Sequence, residues 1–309
     1  MTLALLLSGQ GGQHPEMFAL TAGRAEAEGV FAAARPLLGE DPRDLAAAGG
    51  PRLHENRTGQ ILCCTAALAA WAVIAAGRPG RAVVAGYSIG DLAAWGVAGR
   101  LSPEAVLRLA AHRAEAMDAA SGEGFGLAGL RGLPLDTIRA MAERHACDLA
   151  IRNAPDSGVV GGPVAALDAL CTEALAAGAR RAVVLPVHTP SHTPRLAPAA
   201  AALADALARE SLHRSAPGAP RLLSGLDGAP VFDVAKGLDK LAHQIARTID
   251  WAACLDAARE FGATRVLELG PGHALATMAR EALPDAQVHA LEDFRTVEGV
   301  QAWISNPGK

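Results

Sequence analysis

The 309-residue chain is 50% hydrophobic but only 4% aromatic, enough for a large Ala/Leu/Val core in one α/β domain or in one domain with an insertion. Its net charge of −4, with no basic stripe or charge run, argues against a nucleic-acid partner. Five cysteines (63, 64, 147, 171 and 254) show neither C-x-x-C nor metal-ligand spacing, which predicts reduced thiols, no metal site and a cytoplasmic protein. The opening MTLALLL lacks the basic region of a signal peptide. The apolar stretch 61–76 falls short of the ~20 residues a bilayer needs, so it predicts a buried helix and no membrane partner.

In chain order, residues 2–7 predict a first strand that ends in Ser8-Gly9-Gln10-Gly11-Gly12-Gln13. That loop lacks the G-x-G-x-x-G and Gly-Lys-Ser/Thr spacings of phosphate loops, so it predicts a strand-ending turn. Helical pieces follow over 14–38, a loop over 42–53 and the buried helix over 56–76. Ser102-Pro103-Glu104 is a helix start, and the helix predicted from it runs to about 120 with Arg113 close to its apolar face. A charge facing inward needs a partner, whereas at the helix edge it would snorkel to solvent.

A Gly/Ser linker at 121–124 precedes a different rhythm: strand 126–130, helix 135–145, strands 149–153 and 158–161, helix 164–177 and strand 181–186. The order βαββαβ predicts a small ferredoxin-like insertion over 124–189. Residues 1–123 and 190–309 then form the large subdomain. Helices are predicted at 196–208, 237–248 and 251–260, a hairpin around Asp227-Gly228, and strands at 265–269 and 287–290, with a helix from 274. The fold class is therefore α/β: a large α/β-hydrolase-like subdomain with a mostly parallel sheet and helices on both faces, plus the ferredoxin-like insertion.

The chemistry concentrates at 81–97. An apolar strand runs into Gly86-Tyr87-Ser88-Ile89-Gly90 and then a helical segment. A serine between two glycines on a tight strand-to-helix turn has the form of a nucleophile elbow. The turn needs small residues at 86 and 90, holds the Ser88 hydroxyl at its tip, and aims the Ile89 N–H where an oxyanion would form, beside a helix N-terminus. Alternatively, Ser88 is only a helix N-cap. Further on, His188 and His192 are four residues apart in a Pro-interrupted stretch, which disfavours a helical metal pair and suits one histidine to a general base.

Five separated stretches, GQGGQ (9–13), GYSIG (86–90), HRAEAM (112–117), LPVHTPSHTPRLAPA (185–199) and LELGPGH (267–273), together resemble the malonyl-CoA:acyl-carrier-protein transacylases over nearly the whole chain. The resemblance implies Ser88 as the acyl-accepting nucleophile and His192 as its base. It implies Gln10 and the Ile89 N–H as the oxyanion hole, and Arg113 as the fork on the malonyl carboxylate. In this family a backbone carbonyl orients the histidine; the position matched to it here is Asp250, whose side chain could add a charge the pattern does not require. The partners implied are malonyl-CoA and the phosphopantetheine-type thiol of an acyl carrier protein, with no bound cofactor.

Three positions depart from the usual pattern: Tyr87 for His, Asp91 for Glu and Ser8 for Pro. The segment GYSIGDLAAWGVAG (86–99) resembles the transacylase (epsilon) subunit of malonate decarboxylase, which implies a phosphoribosyl-dephospho-CoA carrier as acceptor. The alternative is the transacylase of fatty-acid or polyketide synthesis. An α/β-hydrolase esterase would instead need His273 or His289 as its base and an HGGG-type motif, which is missing. A non-catalytic carrier-binding scaffold would not need Ser88, His192, Gln10 and Arg113 together. Arg180, Arg181 and Arg195 flank the His192 loop and suit an acidic carrier or a solvated basic edge.

Overall fold

The structure is a computed structural model that describes residues 2–78 and 80–306. Its main sheet is five-stranded and wholly parallel. The strands are β1 (Leu3–Leu7), β2 (Ala82–Gly86), β7 (Arg221–Leu222), β9 (Arg265–Leu269) and β10 (Gln287–Ala290), in the order β10-β9-β1-β2-β7. The second sheet has the order β6-β3-β5-β4-β8 and is built from β3 (Phe125–Arg131), β4 (Asp148–Ala154), β5 (Ser157–Pro163), β6 (Arg181–Val184) and β8 (Ile249–Asp250).

Alternation along β1 explains why the strand reads as continuously apolar. Leu3, Leu5 and Leu7 enter a core built with the helices Ala25–Leu38, Asn56–Ile74, Ile89–Val97 and Pro103–Ser121. Ala4 and Leu6 enter the core on the other face, with the helices Trp251–Glu260 and Ala274–Ala282. A parallel strand covered on both faces has no polar side to show. The Asn56–Ile74 helix is long and apolar enough to cross a membrane, but most of it lies inside the protein as the central core helix.

In the second sheet, β3, β5 and β4 pair antiparallel and β6 adds to the free edge of β3; the helices Leu135–Arg144 and Val164–Ala176 cover one face through Ile138, Leu167 and Leu170. The other face presents Leu127, Ile151 and Val159, which join the core of the main sheet beside Trp251. A cleft lies between these two layers. The short strand β8, which the sequence does not signal, pairs parallel with β4 and ties the return segment to the second sheet.

Two local expectations fail. The stretch 42–53 is not a loop: it holds the helix Pro42–Ala48 and a 3-10 turn, Pro51–His54. Asp41 accepts from the Arg43 N–H and Pro42 occupies the first turn, so the glycines at 49 and 50 end a helix instead of replacing one. The predicted hairpin around Asp227-Gly228 reduces to a single bridge, Leu223 to Pro230, because Arg221–Leu222 pairs with β2.

Candidate active site

Ser88 stands at the end of β2, ahead of the Ile89–Val97 helix, with φ 55° and ψ −117°. A side chain in that region carries strain of about 1–3 kcal/mol, and such strain persists only where the surroundings enforce it. They do so here. A Cβ on Gly86 would lie 2.0 Å from the Gly90 carbonyl, and one on Gly90 would lie 2.2 Å from the Leu7 oxygen. The Ser88 side chain makes no capping bond, which removes the N-cap reading.

His192 lies in the segment that follows β6 and meets Ser88 at the cleft. It too has positive φ, 65°, and its N–H donates to the Ile245 carbonyl at 2.7 Å. Its Nε2 lies 2.9 Å from Ser88 Oγ, and its Nδ1 lies 2.5 Å from the Gln244 carbonyl oxygen. A carbonyl can only accept, so Nδ1 carries the proton and the Nε2 lone pair faces the serine hydroxyl. His192 is fully buried. Desolvation first, and then the Arg113 charge, pull its pKa down to about 3, against the Gln244 carbonyl, which raises it. The imidazole is therefore neutral at physiological pH, as a base must be.

The carbonyl contact corrects the placement of Asp250. That carboxylate caps the Trp251–Glu260 helix at the Ala253 N–H (3.0 Å) and pairs with Arg152 (2.8 Å), and neither contact touches His192. Gln244, six residues earlier, holds the ring. Because the contact uses the main chain, side-chain identity gives little sign of it in the sequence. The available signal was a single glutamine buried at the end of the amphipathic Val234–His243 helix.

The Gly-rich loop closes the site from a third direction. A Cβ on Gly9 would lie 3.6 Å from Ser88 Cβ, and one on Gly12 would overlap the Pro271 oxygen, so the loop lies between the elbow and the 270–272 turn. Gln10 Nε2 donates to the Asn56 carbonyl at 3.3 Å. The Ile89 N–H, in the first turn of its helix, has no intrahelical acceptor and is free for an anion. Ser8 donates to the buried Glu268 (2.8 Å), whose pKa burial raises to about 7.

These residues border a cavity of about 490 Å³, lined by Gln10, Ser88 and His192 on one side and by Leu127, Ile151 and Val159 of the second sheet on the other. Tyr87 lies in its wall and spans to the second sheet, its hydroxyl 3.2 Å from Asn153 Oδ1.

Arg113 does not line this cavity. It is 1% exposed in the Pro103–Ser121 helix, and its charge acts on His192 and Asp91. Nη1 donates to Gln60 Oε1 at 2.7 Å, whereas Nη2 is buried without an acceptor among the described residues. Burial lowers the guanidinium pKa to about 10, which leaves it charged. Of the flanking arginines, Arg180 pairs with Asp156, and Arg195 donates to the Ser121 carbonyl and stacks on Phe125; Arg181 lines the cavity.

Residues 59–227 match the acyl transferase domain family. The chain belongs to that family. The acyltransferase is 32% identical over 225 residues to the malonyl CoA-acyl carrier protein transacylase of Mycolicibacterium smegmatis, covering 71% of this chain and 75% of that one. It is 30% identical over 299 residues to the transacylase of the same name from Salmonella typhimurium, covering 94% and 96%. Among solved structures, it superposes on an acyl-carrier-protein S-malonyltransferase from Burkholderia pseudomallei with a TM-score of 0.89 at 30% identity, covering 97% and 99%. A malonyl-transacylase solved with a type II polyketide acyl-carrier protein gives 0.90 at 25% identity, covering 97% and 99%.

Proposed function

We propose that this acyltransferase is a malonyl-CoA:acyl-carrier-protein S-malonyltransferase that works through an ester on Ser88. The observation that carries the reading is the 2.9 Å contact between Ser88 Oγ and the unprotonated Nε2 of His192, whose Nδ1 is tied to a carbonyl. In the first half-reaction, Nε2 takes the Ser88 proton as Oγ attacks the thioester carbonyl. The Ile89 N–H and the Gln10 loop face the developing oxyanion. The C–S bond breaks, and His192 returns the proton to the CoA sulfur. In the second half-reaction the carrier thiol gives its proton to Nε2 and attacks the ester. Ser88 Oγ leaves and recovers that proton, so the cycle is ping-pong and needs no cofactor.

To Arg113, buried behind the cavity wall and within electrostatic reach of His192, we assign recognition of the acyl group. Its spare Nη2 offers a charge-assisted donor to the free carboxylate of a malonyl unit, and an acetyl unit has nothing to offer it. That carboxylate would also offset the Arg113 charge that holds the His192 pKa down, making the base stronger when the right substrate is bound. The free, buried cysteines suit a reducing cytoplasm.

The acceptor we favour is an acyl carrier protein of fatty-acid or polyketide synthesis, because the relatives carry transacylase names and one is solved with such a carrier. A second reading, the malonate decarboxylase carrier, rests on the segment GYSIGDLAAWGVAG. Intact-protein mass spectrometry after brief mixing with malonyl-CoA, beside acetyl-CoA and Ser88→Ala, tests the ester. Discharge of the acyl-enzyme to each carrier type in turn then separates the acceptors. An absent Ser88-dependent adduct, with CoA released steadily, would mean hydrolysis instead.

A further inference from the structure

The geometry points to the side chain of Gln244, braced by Asp91, as the positioning group that sets Ser88 and His192 in register with each other. Gln244 touches both members of the pair. Its carbonyl holds His192 Nδ1 at 2.5 Å, and its side-chain Nε2 lies 3.1 Å from the Ser88 carbonyl oxygen and 3.1 Å from Asp91 Oδ2. One residue therefore ties the main chain of the strained elbow to the ring of the base, although the two come from segments 104 residues apart in sequence.

Asp91 is built into the same support. It lies in the first turn of the Ile89–Val97 helix, is 1% exposed, and has Gly225 packed so closely that a Cβ there would fall 2.9 Å from Asp91 Cβ. Burial raises its pKa to about 7, and Oδ1 has no hydrogen-bond partner among the described residues. A buried carboxyl with an unmet oxygen is costly to keep. Its side-chain hydrogen bond is to Gln244, which lies 153 residues away in the chain, and the Gly225 backbone N–H also donates to the carboxyl. Every Gln244 substitution leaves the carbonyl in place. A side-chain change thus asks whether the ring is held by the carbonyl alone or by a carbonyl that the side chain locates.

This inference rests on the Ser88–His192 chemistry proposed above, so the test reads the nucleophile in two ways. A fluorophosphonate probe labels an activated serine without needing malonyl recognition, and single-turnover mixing with malonyl-CoA reads acylation itself. The variants are Gln244→Met, which matches length without the amide, Asp91→Ala, their double, and Asp91→Asn, which keeps an oxygen for the Gln244 amide. Gln244→Met and Asp91→Ala should each slow both labelling and acylation about 10- to 100-fold, with the half-saturating malonyl-CoA concentration unchanged. The double variant should be no slower than the worse single, as for groups acting as one unit. Asp91→Asn should recover most of the rate. Unchanged rates in either folded single variant, or a loss confined to half-saturation, would overturn the assignment. Should one single variant fail to fold, the other carries the same test. If the unaltered protein takes the probe but not malonyl-CoA, the proposed function fails and the labelling rates alone decide this inference. If it takes neither, both fall.

Discussion

Arg113 and Gln60 meet inside the core, Nη1 to Oε1 at 2.7 Å, and the pairing leaves the second guanidinium nitrogen of Arg113 with no acceptor among the described residues. Gln60 is itself held, its amide donating to Asn56 Oδ1 at 2.8 Å, so the guanidinium is fixed in place inside the core. Under the function proposed above, that fixed charge is what would discriminate between acyl groups.

Arg113→Ala should therefore cost malonyl transfer specifically. A lost charge-assisted hydrogen bond is worth about 1.5–3 kcal/mol, or roughly 10- to 150-fold in kcat/KM for malonyl-CoA, while slow reaction with acetyl-CoA persists. Arg113→Lys should restore little, because an ammonium cannot serve Gln60 and a carboxylate in one plane. Competition between the two acyl-CoAs measures this, and an unchanged preference for malonyl would remove Arg113 from substrate recognition.

His192 should keep the enzyme working in acid. The neutral imidazole is the active form, and burial together with the Arg113 charge puts its pKa at about 3, far below the ordinary 6.5. As pH falls through 6.5 His192 does not take up that proton, so kcat/KM for Ser88 acylation, which reports the free enzyme, should show no step there that belongs to His192. Burial raises Asp91 and Glu268 to about 7, so a midpoint near 6.5 in the stopped-flow pH profile that persists in both Asp91→Asn and Glu268→Gln would contradict a desolvated base. His192→Ala should abolish acylation at every pH; survival of activity would shift the chemistry to another histidine.

Asp250→Ala should leave the acylation rate alone and cost stability. Its carboxylate caps the Trp251–Glu260 helix and pairs with Arg152 at a part-exposed site. Losing the cap costs about 1 kcal/mol, and the exposed pair adds less than that. A lower melting temperature with unchanged Ser88 acylation is the expected pair of readings. A slowed acylation step would return Asp250 to the site.

The contrast between Asp250 and Gln244 shows where sequence reading stops. Ser88 was legible because a Cβ on Gly86 or Gly90 would lie within 2.2 Å of backbone atoms, so the constraint is written in residue types. The βαββαβ order of the elements from Phe125 to Val184 was legible through period and turn chemistry. The partner of His192 was not, since a carbonyl belongs to any residue and its position depends on where the chain returns after 52 residues. Gln60 left a clue, an amide at the head of a long apolar run, but no sign of its partner. The Pro42–Ala48 helix was hidden by its own punctuation, since the residues that start and stop a short helix are those that mark a loop.

The strain at Ser88 gives a prediction that concerns stability alone. Ser88→Ala and Ser88→Gly both delete the hydroxyl and with it the hydrogen bond to His192, so both should be inactive. They differ in the Cβ. At φ 55° and ψ −117° an alanine keeps the steric conflict that serine bears, and a glycine sheds it. Glycine also gives the unfolded chain more freedom, which works against the folded state by about 0.4–1 kcal/mol. Relief of about 1–3 kcal/mol of strain outweighs that cost, so the glycine variant should be the more stable of the two by about 1 kcal/mol. Paired denaturant melts with equal slopes measure the difference. A glycine variant less stable than the alanine variant by about 0.4–1 kcal/mol would mean that the elbow stores no strain, because only the unfolded-chain cost would then remain.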